Sequence, residues 1–478
     1  MQTGIEDQRG LYQKRIPIFP RSIKGKFRNF KWMILALAYG VYFGLPWLPW
    51  ARHDGPSQAV LFDVVGRKFF LFDLVVYPQD IFWLALLLFI AAVLLFFVTG
   101  LVGRAFCGYF CFQTIWTEAF ILIERLIQGE RPARIRLYKQ PWNKEKLSKM
   151  ALTHGLWFLL SFWTALTFIL YYGYAPRLVT AFFTGNAAHV AYFTVLILTG
   201  TTYAAAGLLR EQVCMFMCPY ARFQSVMYDA ETLAVAYDEK RGENALGRAA
   251  PRTGMKTREE RLEKGYGDCI DCGLCVQVCP VGIDIREGLQ FPCISCGLCI
   301  DACNGIMESQ GYPKGLIRYD SEANLASKNP KKPGLHWKRL KIIGYGVALA
   351  VMSGYLMYSI GQRTSFEDTV QQVRQPLFVV LSDGKIRNRY QIRVTNKTSR
   401  DETYHIGVSG IPESALDLGS MGELKVPAGK SLMVQASVML EPGLAQTVNE
   451  FSFVITPKSS PRDVSTRKAH FNTKHKES

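Results

Sequence analysis

The chain has 478 residues, 49% of them hydrophobic, and a mean hydropathy of +0.07. Its apolar residues gather in long blocks with the charge between them, which excludes a single soluble globule, a disordered chain and a fibrous repeat. The net charge of +17 (56 basic against 39 acidic residues) fits nucleic acid or an anionic membrane face. Twelve cysteines are too few for a disulfide scaffold, and all lie between Cys107 and Cys303, grouped by spacing as metal ligands are.

A basic N-terminal segment (1–32) lacks the apolar run of a cleavable signal peptide. Five stretches then follow, each about 20 residues long, enough to cross a hydrocarbon core of ~30 Å. They are Met33 to Trp50, Ile81 to Val102, Leu152 to Tyr172, Ala188 to Leu209 and Leu340 to Ile360. Aromatic residues such as Trp47, Trp50, Tyr171, Tyr172 and Trp337 flank them as an interfacial belt does. Lys and Arg number 8 up to Lys31, 3 in 51–80, 9 in 104–150, 1 in 174–187 and 19 in 210–341. The alternation predicts an N-terminus and two basic loops in the cytoplasm, with the C-terminal segment outside. The 16 basic residues after position 361 belong to a long domain, where the charge rule has little force. Nucleic acid is not needed to explain the positive balance.

The first basic loop opens with Cys107-x3-Cys111 and the second with Cys214-x3-Cys218, followed by Pro219. Each pair follows a span at its cytoplasmic end, so the two mark an internal repeat. A spacing of four predicts both sulfurs on one helical face, close enough to share a metal. Helix packing would join the pairs into a four-sulfur site. Soft thiolates suit Cu(I), zinc or an iron–sulfur cluster, while buried packing cysteines are the bland alternative. Arg104 and Arg210 beside them are expected to lower the thiol pKa values.

Eight cysteines in 35 residues make the most specific pattern. Cys269, Cys272, Cys275 and Cys279 follow C-x2-C-x2-C-x3-C with Pro280 next, and Cys293, Cys296, Cys299 and Cys303 repeat the spacing. In bacterial two-cluster ferredoxins the fourth cysteine of each run ligates the other cluster. Cys269, Cys272, Cys275 and Cys303 are therefore assigned to one 4Fe–4S cluster, and Cys293, Cys296, Cys299 and Cys279 to the other. Gly273 and Gly297 relieve backbone crowding. Asn304 stands where a second proline is expected, predicting a less rigid second turn. Zinc also binds CxxC pairs, but two full four-cysteine runs favour iron–sulfur, and a reducing cytoplasm disfavours disulfides. The pattern implies one-electron transfer.

From about Pro376 to Pro457 the sequence turns to short β-rich runs (Leu377 to Leu381, Tyr390 to Val394, Tyr404 to Val408, Leu432 to Val438, Phe451 to Ile455), which predict an antiparallel sandwich with a binding or positioning role. Asn396-Lys397-Thr398 fits the glycosylation sequon, and the tail after Ser459 reads as disordered. His154 and His189 show no ligand spacing and read as structural. No nucleotide-binding motif is present.

Five spans, paired C-x3-C motifs, a twin-cluster insert and an outer sandwich together resemble the CcoG/FixG/RdxA family of cytochrome c oxidase accessory proteins. The segments that carry the resemblance are Gly267 to Cys303, Phe106-Cys107-Gly108-Tyr109-Phe110-Cys111 and Val213 to Tyr220. The resulting fold class is an α-helical multi-pass membrane protein with a cytoplasmic two-cluster ferredoxin-like insert and a C-terminal immunoglobulin-like β-sandwich. Its divisions are 1–32, a four-helix membrane domain at 33–209, a cytoplasmic loop at 210–338 holding the ferredoxin-type domain (about 259–310), a fifth span at 339–361 and an outer domain and tail at 362–478. The resemblance implies a bacterial inner-membrane protein that reduces Cu(II) to Cu(I) for assembly of a cbb-type oxidase. Copper, oxidase subunits or other copper assembly factors, and an unidentified electron donor would be its partners. Copper would sit at Cys107, Cys111, Cys214 and Cys218. The alternatives are a quinol-linked subunit feeding a periplasmic reductase and a non-catalytic assembly scaffold.

Overall fold

The computed structural model describes residues 17–51, 56–251, 257–327, 333–362, 364–398, 400–419, 423–460 and 463–473. The chain divides into two compact units, residues 1–50 with 58–356 and residues 51–57 with 357–478.

The first unit opens with helix α1 (Lys26–Gly44). A meander of β1 (Val60–Asp63), β2 (Lys68–Leu71) and β3 (Leu74–Val76) occupies the loop poor in basic residues. Among the described residues five helices are long and apolar enough to cross a membrane: Ile81–Val102 (α2), Ala105–Gln128, Lys144–Leu170 (α5), His189–Leu209 and Leu340–Gly361 (α10). Four coincide with expected spans. The first expected span does not: α1 stops at Gly44, ahead of Pro46, and carries Lys26, Arg28 and Lys31. In its place stands Ala105–Gln128, two helices in line, α3 (Ala105–Tyr109) and α4 (Phe112–Gln128), in a stretch read from the sequence as a basic loop.

That misreading has a physical cause. Glu118 and Glu124 interrupt the apolar run of α4 with charge, yet both are buried, and their charges are met by other elements. Glu118 pairs with Arg28 and with Lys31 (2.8 Å), and Glu124 with Arg210 and with Arg134 (3.3 Å). A buried carboxylate is tolerated when paired in this way. α4 lies against α5 through hydrogen bonds from Trp116 Nε1 to Thr164 Oγ1 (2.9 Å) and from Gln128 Nε2 to Thr153 Oγ1 (3.0 Å). The apolar stretches of α2 and α10 are only 6% buried in the protein, against 50% for Ala105–Gln128. α2 and α10 therefore present apolar side chains outward, as lipid contact requires, while α4 is interior.

Helix α6 (His189–Thr202) runs into a π-helical turn at Tyr203–Leu209, and a second π-turn covers Val213–Met217 before α7 (Pro219–Met227). The insert that follows is built on an antiparallel pair, β4 (Ala234–Tyr237) and β5 (Ile317–Asp320), with α8 (Leu274–Gln277) and α9 (Leu298–Ser309) between them. Asn304 lies inside α9, with its Oδ1 accepting from the Gly315 amide (2.8 Å), so the expected loose second turn is a continuous helix.

The second unit is a two-sheet sandwich. Its strands are β6 (Phe366–Gln372), β7 (Val379–Val380), β8 (Ile386–Asn396), β9 (Glu402–Ser409), β10 (Leu416–Asp417), β11 (Glu423–Val426), β12 (Ser431–Leu440), β13 (Glu450–Pro457) and β14 (Ser465–His470). One sheet runs β10-β12-β8-β6 with β7 also on β8; the other runs β11-β9-β13-β14. Tyr390, Ile392, Val394, Tyr404, Phe453 and Ile455 fill the space between, as alternating inward residues do in such folds. One expectation fails here, and one short motif match is closed off. The tail after Ser459 is not disordered where described: β14 pairs with β13 over six residues, and Ala469 and Phe471 enter the core. Asn396 is fully buried and bonded to the Arg400 and Val426 carbonyls (2.7 and 3.1 Å), so its side chain is closed to glycosylation.

Candidate metal centre

The two cysteine runs fold alike. Asp271 and Ser295, one residue before Cys272 and Cys296, take φ of 49° and 50°, and Gly273 and Gly297 follow at 64° and 70°. Left-handed residues on either side of Cys272 and of Cys296 bend each run into a tight loop, and glycine at the second of them removes the Cβ penalty. The loops enclose two cavities. One is lined by Cys269, Cys272, Cys275 and Cys303, the other by Cys279, Cys293, Cys296 and Cys299, with Cys275 reaching both. The two linings divide the cysteines by cavity and not by run. Four thiols around each apolar cavity fit a 4Fe–4S cluster, and when bound such a cluster stores and passes single electrons.

Burial pushes the Cys275 thiol up to about 11, and those of Cys279 and Cys303 up to about 12. Neutral thiols in apolar walls become stable thiolates only with metal, so loading releases protons. Cys272 is the exposed member of the first set, whereas Cys293 and Cys296 are buried in the second. The first cavity thus faces solvent and the second faces the helices. Asp268 is buried beneath the first run and anchored by Arg241 and Arg258 (both 2.7 Å).

The membrane-edge cysteines depart from the expected geometry. Cys111 and Cys218 are not on one helical face with their partners, because each has an extended backbone (ψ 130° and 110°) and stands at a helix break. Both amides bond five residues back, Cys111 to Phe106 O (3.0 Å) and Cys218 to Val213 O (2.8 Å), so the internal repeat is real in three dimensions. The fold also joins the pairs. Cys107 Sγ donates to Gln224 Oε1 on α7 (3.1 Å), and Gln113 Nε2 donates to the Ala205 and Arg210 carbonyls (2.8 and 3.2 Å). Burial, then the thiols of Cys111, Cys107 and Cys218, push Cys214 up to about 12, against a smaller pull from Arg104. The expected lowering by neighbouring arginines does not occur there: desolvation wins, and Arg210 turns to Glu124.

The insert docks directly on this site. Cys107 shares a buried cluster with Cys296, Val281 and Ile294, and Tyr109 Oη donates to Cys296 O (2.8 Å). A Cβ on Gly108 would lie 2.6 Å from Ile294 O. Sequence reasoning missed Gly108, Tyr109 and Gln224. Only the glycine and tyrosine between Cys107 and Cys111 hinted at a close backbone approach. His154 bonds Tyr203 Oη (2.7 Å) and packs on Trp157, in keeping with a structural role.

An apolar helical body carrying two crossed four-cysteine nests defines a membrane iron–sulfur protein of the electron-transfer class. Family models agree: a 4Fe-4S dicluster domain matches residues 209–322, a 4Fe-4S binding domain matches 84–128, and the IG-like fold at the C-terminal of FixG matches 356–474. Protein RdxB of Cereibacter sphaeroides is 42% identical over 85% of each chain, and Protein RdxA of the same organism 44% identical over 84% of each. Nitrogen fixation protein FixG of Rhizobium meliloti is 37% identical over 97% of this chain and 94% of its own. The chain belongs to the RdxA/FixG family.

Proposed function

We propose that this protein carries single electrons from an electron donor on the cytoplasmic side to Cu(II), yielding Cu(I) for assembly of a cbb-type oxidase. The observation that carries the electron path is the shared buried cluster of Cys107 and Cys296, which joins the insert to the four membrane-edge cysteines. Exposed Cys272 marks the input end. The insert lies in the cytoplasm on the strength of 19 Lys and Arg residues in 210–341 against 1 in 174–187, and the single apolar helix Leu340–Gly361 between insert and sandwich then puts the sandwich in the periplasm. Copper as acceptor rests on the family resemblance and on the softness of thiol donors, which favour Cu(I) over Cu(II).

The chemistry balances with one electron per copper: the donor is oxidised by one unit, Cu(II) becomes Cu(I), and no bond to carbon changes. In an anaerobic stopped-flow test, protein reduced with dithionite and desalted is mixed with Cu(II) and a Cu(I)-specific chelator. Stoichiometric Cu(I), lost in the variant C107S/C111S, is the expected result. Cluster absorbance that stays reduced in the presence of Cu(II), but recovers with a soluble quinone, would replace copper by quinone as the partner.

A further inference from the structure

Among the described residues no three Cys, His, Asp or Glu side chains converge closely enough to hold a single metal ion. That includes the eight ferredoxin cysteines, which surround cavities instead of one point. It also includes Cys107, Cys111, Cys214 and Cys218, although the thiol of Cys214 is under the electrostatic influence of all three others. Like the ferredoxin cysteines, which line each cavity from separate turns, these four come from two helix breaks in which the Cys111 and Cys218 amides each bond five residues back, and a cubane is held by thiolates delivered in this way.

Arg104 supplies an independent observation. It is 3% exposed, donates to Gln224 Oε1 (3.2 Å) and to Phe291 O, and makes no ion pair with a carboxylate among the described residues. It acts electrostatically on Cys107 and Cys214 on one side and on Cys293 on the other. A buried guanidinium without a counter-charge is costly, and it is aimed at thiols that become anionic when they bind metal. The match of a 4Fe-4S binding domain to residues 84–128 includes only Cys107 and Cys111, two ligands short of a four-cysteine site. The π-turn and helix break at Cys214 and Cys218 supply the other two.

We propose that Cys107, Cys111, Cys214 and Cys218 together hold a third 4Fe–4S cluster, adjoining the second ferredoxin cluster with Arg104 between them. Transfer to this site moves one electron and no atom: the insert is oxidised by one unit and the membrane-edge site reduced by one, before the electron passes to the acceptor. The inference rests on the electron-transfer part of the reading above and is indifferent to whether copper is the acceptor.

The test uses the full chain in detergent, purified without oxygen. About twelve irons and twelve sulfides per chain, with three S = 1/2 spins after full dithionite reduction, are expected instead of about eight and two. The variants C107S/C111S and C214S/C218S should each lose about one third of the iron and keep the interacting spins of the insert. Eight irons and two spins in the wild type would overturn the proposal without any variant. One copper or zinc per chain that disappears in both variants would overturn it in favour of a single-ion site. Twelve irons with no electron passed to Cu(II) would leave the third cluster standing and remove copper as the acceptor.

Discussion

The hydroxyl of Tyr109 donates to the carbonyl oxygen of Cys296 at 2.8 Å, tying the turn between the first C-x3-C pair to the loop of the second ferredoxin run. Tyr319 donates to the neighbouring Ser295 carbonyl, so two phenols hold one ligand loop. The N-terminal helix closes the same contact from another side, where the Arg28 amide bonds Asp301 Oδ2 (2.8 Å). The insert is therefore a fixed part of the helical body, and the distance between its inner cavity and Cys107 is set by packing.

Crossed ligation is tested by single substitutions. C303S should abolish the same EPR signal as C272S, although Cys303 sits in the other run, while C279S and C296S should abolish the second. Pairing by run instead of by cavity would group C303S with C296S.

The docking contact depends on Gly108. Gly108→Ala places a methyl against Ile294 O and the Cys296 backbone, at 2.6 and 3.0 Å, neither of which is a flexible side-chain end. An overpacking cost of about 1–3 kcal/mol is expected, read as a lower thermal midpoint. Gly155→Ala on α5 meets nothing within 4 Å and should be neutral or stabilising by about 0.4–1 kcal/mol.

The buried charges are unequal to the exposed ones. Glu118→Gln strands Arg28 and Lys31, whose side chains are 6% and 5% exposed, and should cost about 3–5 kcal/mol. Lys149→Ala breaks a pair whose side chains are 37% and 60% exposed, and should change stability by less than about 0.5 kcal/mol. Chemical denaturation in detergent, with both variants measured against wild type, checks the contrast.

Orientation is tested by fusion. Alkaline phosphatase joined after residue 362 should be active and a fusion at Lys240 inactive. The reverse pattern would put the cluster loops outside the cytoplasm.

The sandwich needs its last strand. Phe471→Ala empties a site that is 4% exposed and should cost about 3–5 kcal/mol in the unfolding of that domain. Truncation after Ser459 should cost at least as much, since it uncovers β13 along six residue pairs. A tail that contributes nothing would leave both variants at the wild-type midpoint.

Local chemistry made much of this protein legible in its sequence. The crossed assignment of the eight ferredoxin-type cysteines rests on spacing, because each tight loop delivers three sulfurs and leaves the fourth beyond its reach. Four of the five described helices long and apolar enough to cross a membrane follow from uninterrupted apolar length, and the central strands of the sandwich from alternation at Tyr390 to Val394. Tertiary structure decided what spacing cannot encode. Ala105–Gln128 joined the apolar helices because cations from three separate stretches of chain, Arg28 with Lys31, Arg134, and Arg210, neutralise its two glutamates. Cys111 and Cys218 left their helical faces because each amide bonds five residues back and breaks the helix. The elements that carry the two C-x3-C pairs, over a hundred residues apart, are linked by hydrogen bonds of Gln113 and Gln224. Such contacts depend on burial, which removes water as the competing partner and so lets distant polar groups choose one another.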